Sequence, residues 1–313
     1  MIGFLARRAV GLAATLAGAL IVVFLMVRIV PGDPALLFLG EDYSPDAYAA
    51  VRRALDLDRP LPAQLAEYLR RVSTGDFGVS FRTHQAVLQA VWAQFPYTLV
   101  LALSSLAIAV GLGVPVGVFS ALRRGRWADH LTMLVAVAGV TMPSFLVAIL
   151  FMLWFSLDLD WLPSIGAGDF AQPLTVVTHL ILPAAVLGLS SAALIARLTR
   201  STMLEVLGQD FLRTARAKGL SGRRVVRGHA LPNAMTPILT IVGIDLGRLL
   251  AGTTVIEIVF GRPGIGHLLI DAMRARDYPQ IQGTMLFYIA LIVVANTVVD
   301  VSYALVDPRV RFG

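Results

Sequence analysis

The chain contains a single lysine, Lys218, and Gly219 follows it. A phosphate-cradling GxxxxGK[ST] loop needs a lysine followed by a hydroxyl residue, so the chain can form no such loop. Leu220, Ser221 and Gly222 match the opening of an ATPase signature, but Arg223 and Arg224 do not continue it, and we read the likeness as coincidence. Gly264-Ile-Gly266 lacks the strand and following helix of a dinucleotide unit, and a tight turn explains it better. Ser104, Ser105, Ser190 and Ser191 have no histidine partner by motif, and no Gly-x-Ser-x-Gly elbow occurs. The five histidines show no HExxH or other ligand spacing, and with no cysteine the chain has no thiolate site or disulfide. We therefore assign no catalytic residue and no metal site.

What remains are ionisable residues inside or beside apolar stretches, where burial of charge is costly. Asp245 and Arg248 are three apart on one helical face and can neutralise each other. A structural pair is one reading, and a polar contact on a path through the bilayer is the sharper one. Glu257 and Asp300 lie towards the ends of apolar stretches and border the interface, in a structural or pathway role. Arg28 can snorkel outward, and His179 is an interfacial residue.

Those residues sit in a chain of 313 residues that is 57% hydrophobic and only 15% charged, with a mean hydropathy of +0.76. This is more apolar surface than a soluble core of that length holds, and it indicates an all-α polytopic membrane protein. Six stretches are long enough to cross a hydrocarbon core of about 30 Å. They lie near 10–30, 97–119, 131–157, 174–196, 234–258 and 284–306. The first follows Arg7 and Arg8 like a signal peptide, but it is long and meets Pro31-Gly32-Asp33-Pro34 rather than a cleavage site, so we read it as a retained helix.

The cations set the orientation. With the N-terminus cytoplasmic, the inside segments hold Arg7 and Arg8; Arg123, Arg124 and Arg126; eight cations from Arg197 to Arg227; and Arg309 and Arg311, fifteen of the 26 basic residues. The opposite side has none between Asp158 and Pro173, three between Phe260 and Gly283, and a larger group in the long first loop, where the rule carries little weight. Both termini are thus expected inside. The net charge of +6 records topology rather than affinity for nucleic acid.

Residues 1–30 are read as the cytoplasmic N-terminus and first span, 31–95 as an extracytoplasmic helical segment, 96–306 as a five-helix core, and 307–313 as a cytoplasmic tail. In the outside segment Ser44-Pro45-Asp46 starts one helix, and Leu61-Pro62 starts a second that runs to about Ser73 before Gly75. It is either a docking surface for an external partner or a packed cap. Gly113-Val-Pro-Val-Gly117 and Gly243-Ile-Asp-Leu-Gly247 place small residues four apart, which lets helices approach closely, and Pro115, Pro143 and Pro183 can kink their spans.

The inside loop 197–232 is too patterned for a simple connection. Leu204, Leu207, Phe211 and Ala215 recur at helical spacing; Gly219 stops that helix, and Ser221 can cap a short basic one running towards His229. A loop adsorbed to anionic lipid is one reading, and a cytoplasmic docking element is the other.

At Asp210-Phe-Leu-Arg-Thr214-Ala215-Arg216-Ala217-Lys218-Gly219-Leu220, with nine residues after Gly219 and then His229-Ala-Leu231-Pro232, the loop resembles the cytoplasmic EAA loop of bacterial ABC importer permeases. That pattern reads Glu-Ala-Ala, three residues, Gly, nine residues, Ile-x-Leu-Pro. Thr214 is aligned with the Glu, Ala215 and Gly219 match, Arg216 replaces the second Ala, His229 replaces Ile, and Leu231 and Pro232 match. The whole chain is similar to B-type permeases of the dipeptide/oligopeptide class. Arg7-Arg8, Pro31 to Pro34, Glu257-Ile-Val-Phe260, Pro263-Gly-Ile-Gly266, Arg276-Asp277-Tyr278-Pro279, Asn296, Asp300 and Asp307-Pro308-Arg309 carry that likeness.

The resemblance implies a type I permease fold of six transmembrane helices in the bacterial cytoplasmic (inner) membrane. It implies a second homologous permease, an extracytoplasmic binding protein, a peptide substrate, and two ATPase subunits or domains that bind the ATP and Mg2+. The 210–220 helix would then seat in an ATPase cleft. Nickel, glutathione or another small solute is the alternative cargo, and an ATPase-independent carrier or channel is the alternative of a different class.

Overall fold

The computed structural model describes residues 2–29, 34–39, 44–54 and 57–306. Pro31-Gly32-Asp33 and Asp307-Pro308-Arg309 lie outside the described residues, as do the side chains of Arg7, Arg8, Arg28 and Asp300. The helices are α1 (Ile2–Ile29), α2 (Pro34–Leu39), α3 (Pro45–Ala54), α4 (Leu61–Ser73), α5 (Val87–Leu122), α6 (Trp127–Thr141) and α7 (Ser144–Phe151), which a π-helical stretch continues through Met152–Asp158. They are followed by α8 (Pro173–Leu207), α9 (Asp210–Ala217), α10 (Gly222–Val225), α11 (Leu231–Val259), α12 (Ile265–Arg274) and α13 (Tyr278–Val306). Among the described residues four helical stretches are long and apolar enough to cross a membrane: Val87–Leu122, Pro173–Leu207, Gly222–Val259 and Tyr278–Val298. Within α1, Val10–Met26 is a shorter apolar run.

The expected single span at 131–157 is instead two helical segments bent by 100°. Met142 and Pro143 between them are both extended, at ψ 129. Proline has no N–H for the preceding turn and drives the residue before it out of the helical region, so the chain breaks here rather than kinks. Pro183 and Pro237 lie inside α8 and α11, which run on through them. The expected turn at Gly264–Gly266 leads directly into α12.

By contacts the chain falls into two compact units, Met1–Pro96 with Gly264–Val293, and Tyr97–Pro263 with Val294–Gly313. In the first, the Ser44 hydroxyl accepts from Ala47 N at 3.2 Å and caps α3. On α4, Arg70 and Arg71 hold the Glu67 carboxyl down at a pKa of about 2, so the three-residue charge cluster persists at neutral pH. Val87 and Val91 of α5 pack on Ile265 of α12, with Trp92, Phe95 and Phe287 in mutual edge contact at 5.2–5.7 Å. Asp277 closes this unit. Its carboxylate accepts from the Ser80 hydroxyl at 2.5 Å, from the backbone N–H groups of Phe81 and Arg82, and from Gln280 N in the first turn of α13. One side chain thus caps a helix and grips a turn 195 to 197 residues away in sequence.

In the second unit α8 is the central helix, touching α6, α7 and α11. Gly113 and Gly117 face it so closely that a Cβ at these positions would lie 2.8 Å from the Ala192 carbonyl oxygen and 2.5 Å from that of Ala196. From the other side, a Cβ on Gly188 would meet Ile108 at 2.7 Å. The first small-residue pair is therefore a backbone-to-backbone contact, and in the second Gly247 approaches Asn296.

Gly117→Leu should wedge α5 off α8 at an overpacking cost of about 1–3 kcal/mol. Gly111→Ala, with nothing within 4 Å of the added carbon, should be neutral or stabilising; thermal unfolding of the solubilised protein compares them. Asp277→Ala should cost about 1–3 kcal/mol through the lost cap and the buried donors it strands. Limited proteolysis should then cut within residues 80–86, where the wild type resists.

Candidate functional site

The segment between α8 and α11 is built from the end of one long helix, a short second helix and a glycine corner. α8 does not stop near 196 as expected; it continues to Leu207, and its 35 residues measure about 52 Å. That is some 20 Å more than one crossing of a hydrocarbon core needs. Gly208 interrupts it, so Leu204 and Leu207 lie on α8 while Phe211 and Ala215 lie on α9. Phe211 is exposed and Leu212 takes the buried position, which corrects the expected single helical stripe.

α9 buries Leu212 and Ala215 among Met203 and Val206 of α8, Val225 of α10 and Ala230, Ala234 and Ile238 beyond it. Its opposite face is exposed: Asp210, Arg213, Thr214, Arg216, Ala217 and Lys218 all reach solvent. Arg213 pairs with Asp210 at 3.2 Å, a surface contact of little energetic weight. The Thr214 hydroxyl turns back onto its own helix and donates to Asp210 O at 3.2 Å.

The helix ends in a two-bond corner. Leu220 N donates to Ala215 O at 3.4 Å and Gly219 N to Arg216 O at 2.9 Å, with Gly219 at φ +80. This is the Schellman arrangement, and Leu220 packs beside the buried face as the motif requires. A Cβ on Gly219 would meet nothing within 4 Å, so the left-handed backbone and not space demands glycine here. The position also fixes the register of the EAA pattern. With three residues before Gly219, the Glu-Ala-Ala positions fall on Arg213, Thr214 and Ala215, one residue earlier than the alignment on Thr214. A cation therefore occupies the family's acidic position.

Ser221 sits at the N-cap of α10 without a side-chain bond. The expected separate basic helix is continuous with the following span: α10 runs through π turns at Val226–Ala230 into α11. Leu231 N reaches five residues back to Val226 O, Pro232 has no N–H to donate, and Asn233 Nδ2 satisfies His229 O at 2.7 Å. Leu231 is half-buried against the α9 core and Pro232 is exposed in the first turn of α11.

Three polar contacts join the helices of this unit. Sequence reasoning missed the first: Asp129, at 1% exposure, takes a bidentate bond from Arg200 at 2.6 and 2.7 Å, together with the Ser120 hydroxyl and Gly125 N. It ties the turn between α5 and α6 to α8 about three turns before α9. Its signal was an acid standing alone among the cations Arg123 to Arg126. In the second, Arg248 Nε lies 2.8 Å from Asp245, and its Nη2 also reaches Ser191 of α8 at 3.1 Å. In the third, Glu257 is not at an interface as expected but fully buried, accepting from Thr98 of α5 at 2.7 Å. Arg262, also fully buried, follows the C-terminus of α11, where the helix dipole favours a cation. Burial pulls its pKa down and the Glu257 carboxylate opposes that pull. The sequence-derived residues thus divide between an exposed helix with its corner and polar contacts inside the bundle.

Residues 113–312 match the family described as binding-protein-dependent transport system inner membrane component, and residues 1–102 match the N-terminal region of such membrane components. The glutathione transport system permease proteins GsiC of Salmonella typhimurium (strain LT2) and Escherichia coli (strain K12) are 41% and 40% identical over 312 residues, covering all of both chains. Two inward-facing crystal forms of the MetNI methionine ABC transporter align with TM-scores of 0.54 and 0.56 at 17% and 18% identity. They cover 71% and 70% of this chain and 96% and 97% of theirs, which shows a shared fold. A chain matched along its whole length, with apolar spans in this order, belongs to the binding-protein-dependent transport system inner membrane component family, the multi-pass permease subunits of ABC importers in the bacterial inner membrane.

Proposed function

We propose that this chain forms, with a second homologous permease, the pathway of an importer for short peptides, and that α9 with its glycine corner receives the motion of the partner ATPases. The observation that carries the coupling role is the two-faced burial of α9. Leu212 and Ala215 are locked between the ends of α8 and α11, while Arg213, Thr214, Ala217 and Lys218 face outward. A displacement applied to the exposed face is therefore transmitted to two spans at once. In this reading α9 faces the cytoplasm and both termini lie inside. The six crossings are α1, α5, the bent pair of α6 and α7, α8, α11 and α13. ATP and Mg2+ act on two ATPase subunits, an external binding protein delivers the solute, and this chain contributes no catalytic residue.

The relatives support this reading of the cargo. Glutathione, named for the permeases 40–41% identical to this chain, is itself a tripeptide, so the peptide reading and the glutathione reading meet in one class: short peptides bearing ionised carboxylates. Glutathione is the first solute to test.

Two substitutions separate corner geometry from chain identity at Gly219. Gly219→Val forces a β-branched residue to φ +80 and should lower solute-stimulated ATPase activity at least about tenfold in the reconstituted complex, whereas Gly219→Asn, which tolerates that region, should keep most of it. Equal activity in both variants would remove the coupling role. Glutathione uptake into vesicles should require the partner permease, the ATPases, ATP and the binding protein. Uptake by this chain alone would sink the importer reading, and ATP-driven uptake of other short peptides but not glutathione would correct the cargo only.

A further inference from the structure

The cytoplasmic-end cleft of the second unit has a chemistry that coupling does not use. It has a volume of about 800 Å3 and opens beside the corner between α9 and α10. Its floor is apolar, made by Val114, Pro115, Val118 and Phe119 of α5 with Val226 and Leu231 opposite. Its rim carries three arginines, Arg216, Arg223 and Arg227, all exposed. A fourth, Arg123, lies over the Phe119 ring at 4.4 Å.

Partnering distinguishes these cations from others in the same unit. Arg200, Arg213 and Arg248 each hold an aspartate. Among the described residues no carboxylate pairs with Arg216, Arg223 or Arg227. They surround the mouth of an apolar hollow as uncompensated positive charge, so the cleft fits an occupant that is anionic at one end and hydrocarbon at the other.

Depth excludes most soluble occupants. The floor belongs to the most apolar span of the chain, Val87–Leu122. Val114 lies eight residues inside its end at Leu122, about 12 Å along the axis. A soluble subunit docking on α9 does not reach that far into a bilayer. Phe119 and Leu122, 43% and 51% exposed, line the approach from the side of the span.

We propose that this cleft binds one anionic phospholipid of the leaflet nearest α9, with an acyl chain along Val114–Phe119 and the headgroup phosphate between Arg223, Arg227 and Arg216. Basic pockets between spans on the cytoplasmic side recognise acidic headgroups in this way. The site is independent of the cargo. It makes the α9–α10 corner sensitive to the charge of the surrounding membrane.

The test uses the complete transporter in detergent, with retained lipid read by native mass spectrometry. Phosphatidylglycerol and phosphatidylcholine of identical acyl chains are titrated separately, with and without excess inorganic phosphate. Phosphatidylglycerol should be retained at about tenfold lower concentration than phosphatidylcholine, and inorganic phosphate should not displace it. The double variant R223Q/R227Q should bring the two lipids to parity, and Val118→Trp, which fills the floor, should weaken both. Parity in the wild type overturns the proposal without recourse to any variant. A preference that survives R223Q/R227Q puts the lipid elsewhere and overturns it too. Displacement by inorganic phosphate would make the site one for a free anion. Retention by the permease pair that disappears when the ATPases are present would make the occupant protein. Either result replaces the lipid.

Discussion

The contact on which the second unit depends is the one that places no side chain between two backbones. In a bilayer, lipid tails satisfy apolar surface as well as another helix does, so helices associate through close packing and polar contacts rather than through escape from water. Gly113 and Gly117 bring α5 to within a missing Cβ of the α8 carbonyls, and Gly188 does the same from α8. Dispersion over many atom pairs then accumulates along the shared length. The same two helices are tied again beyond the glycines, where Ser120 and Asp129 meet Arg200. Asp129 has four hydrogen bonds from three neighbours, so this buried charge is satisfied, and removing one partner strands the other at a cost of about 3–5 kcal/mol.

A rigid α8 matters because of what hangs from it. A helix of eight residues has no stability of its own. α9 exists because Leu212 and Ala215 are buried and because the Gly219 corner satisfies its last carbonyls. Its position is therefore dictated by the ends of α8 and α11, and the dependence runs in both directions. The π turns at Val226–Ala230 add to this. One extra residue rotates everything before it by about 100° relative to an unbroken α-helix, so the faces of α10 are set independently of those of α11.

Local signals were legible in the sequence, and distant partners were not. The Ser44 cap, the extent of α4, the glycine stop at 219 and the close approach at Gly113 and Gly117 each follow from residues within a few positions of one another. Asp129 with Arg200, Glu257 with Thr98 and Asp277 with Ser80 are separated by 71, 159 and 197 residues, and no short-range pattern announces such pairs. Two misreadings share a cause. Arg197 and Arg200 suggested that α8 had left the membrane and become loop, yet a helix can leave the bilayer without ending, and Arg200 is turned inward to an acid. Pro143 was visible as a kink, but its effect on the residue before it, which holds Met142 extended, turns the kink into a full break.

Counting cations to set an expected orientation treats every arginine alike, and the structure separates them by what they face. Arg200 is drawn to the buried Asp129 and ties α6 to α8, while Arg248, itself half exposed, pairs with the buried Asp245 of its own helix and reaches Ser191 of α8. Arg216, Arg223 and Arg227 have water on one side and an apolar hollow on the other. Long arginine side chains can cover hydrocarbon with their stems while the guanidinium stays at the polar boundary, which is the geometry of a site at a membrane surface. An internal tie must be matched by a specific acid, so its loss is local and severe. A boundary cation is matched by whatever anion the surroundings supply, so its effect varies with lipid composition and ionic strength. The same residue type thus gives this chain one set of charges fixed by its own fold and another whose partners are set by the membrane in which it works.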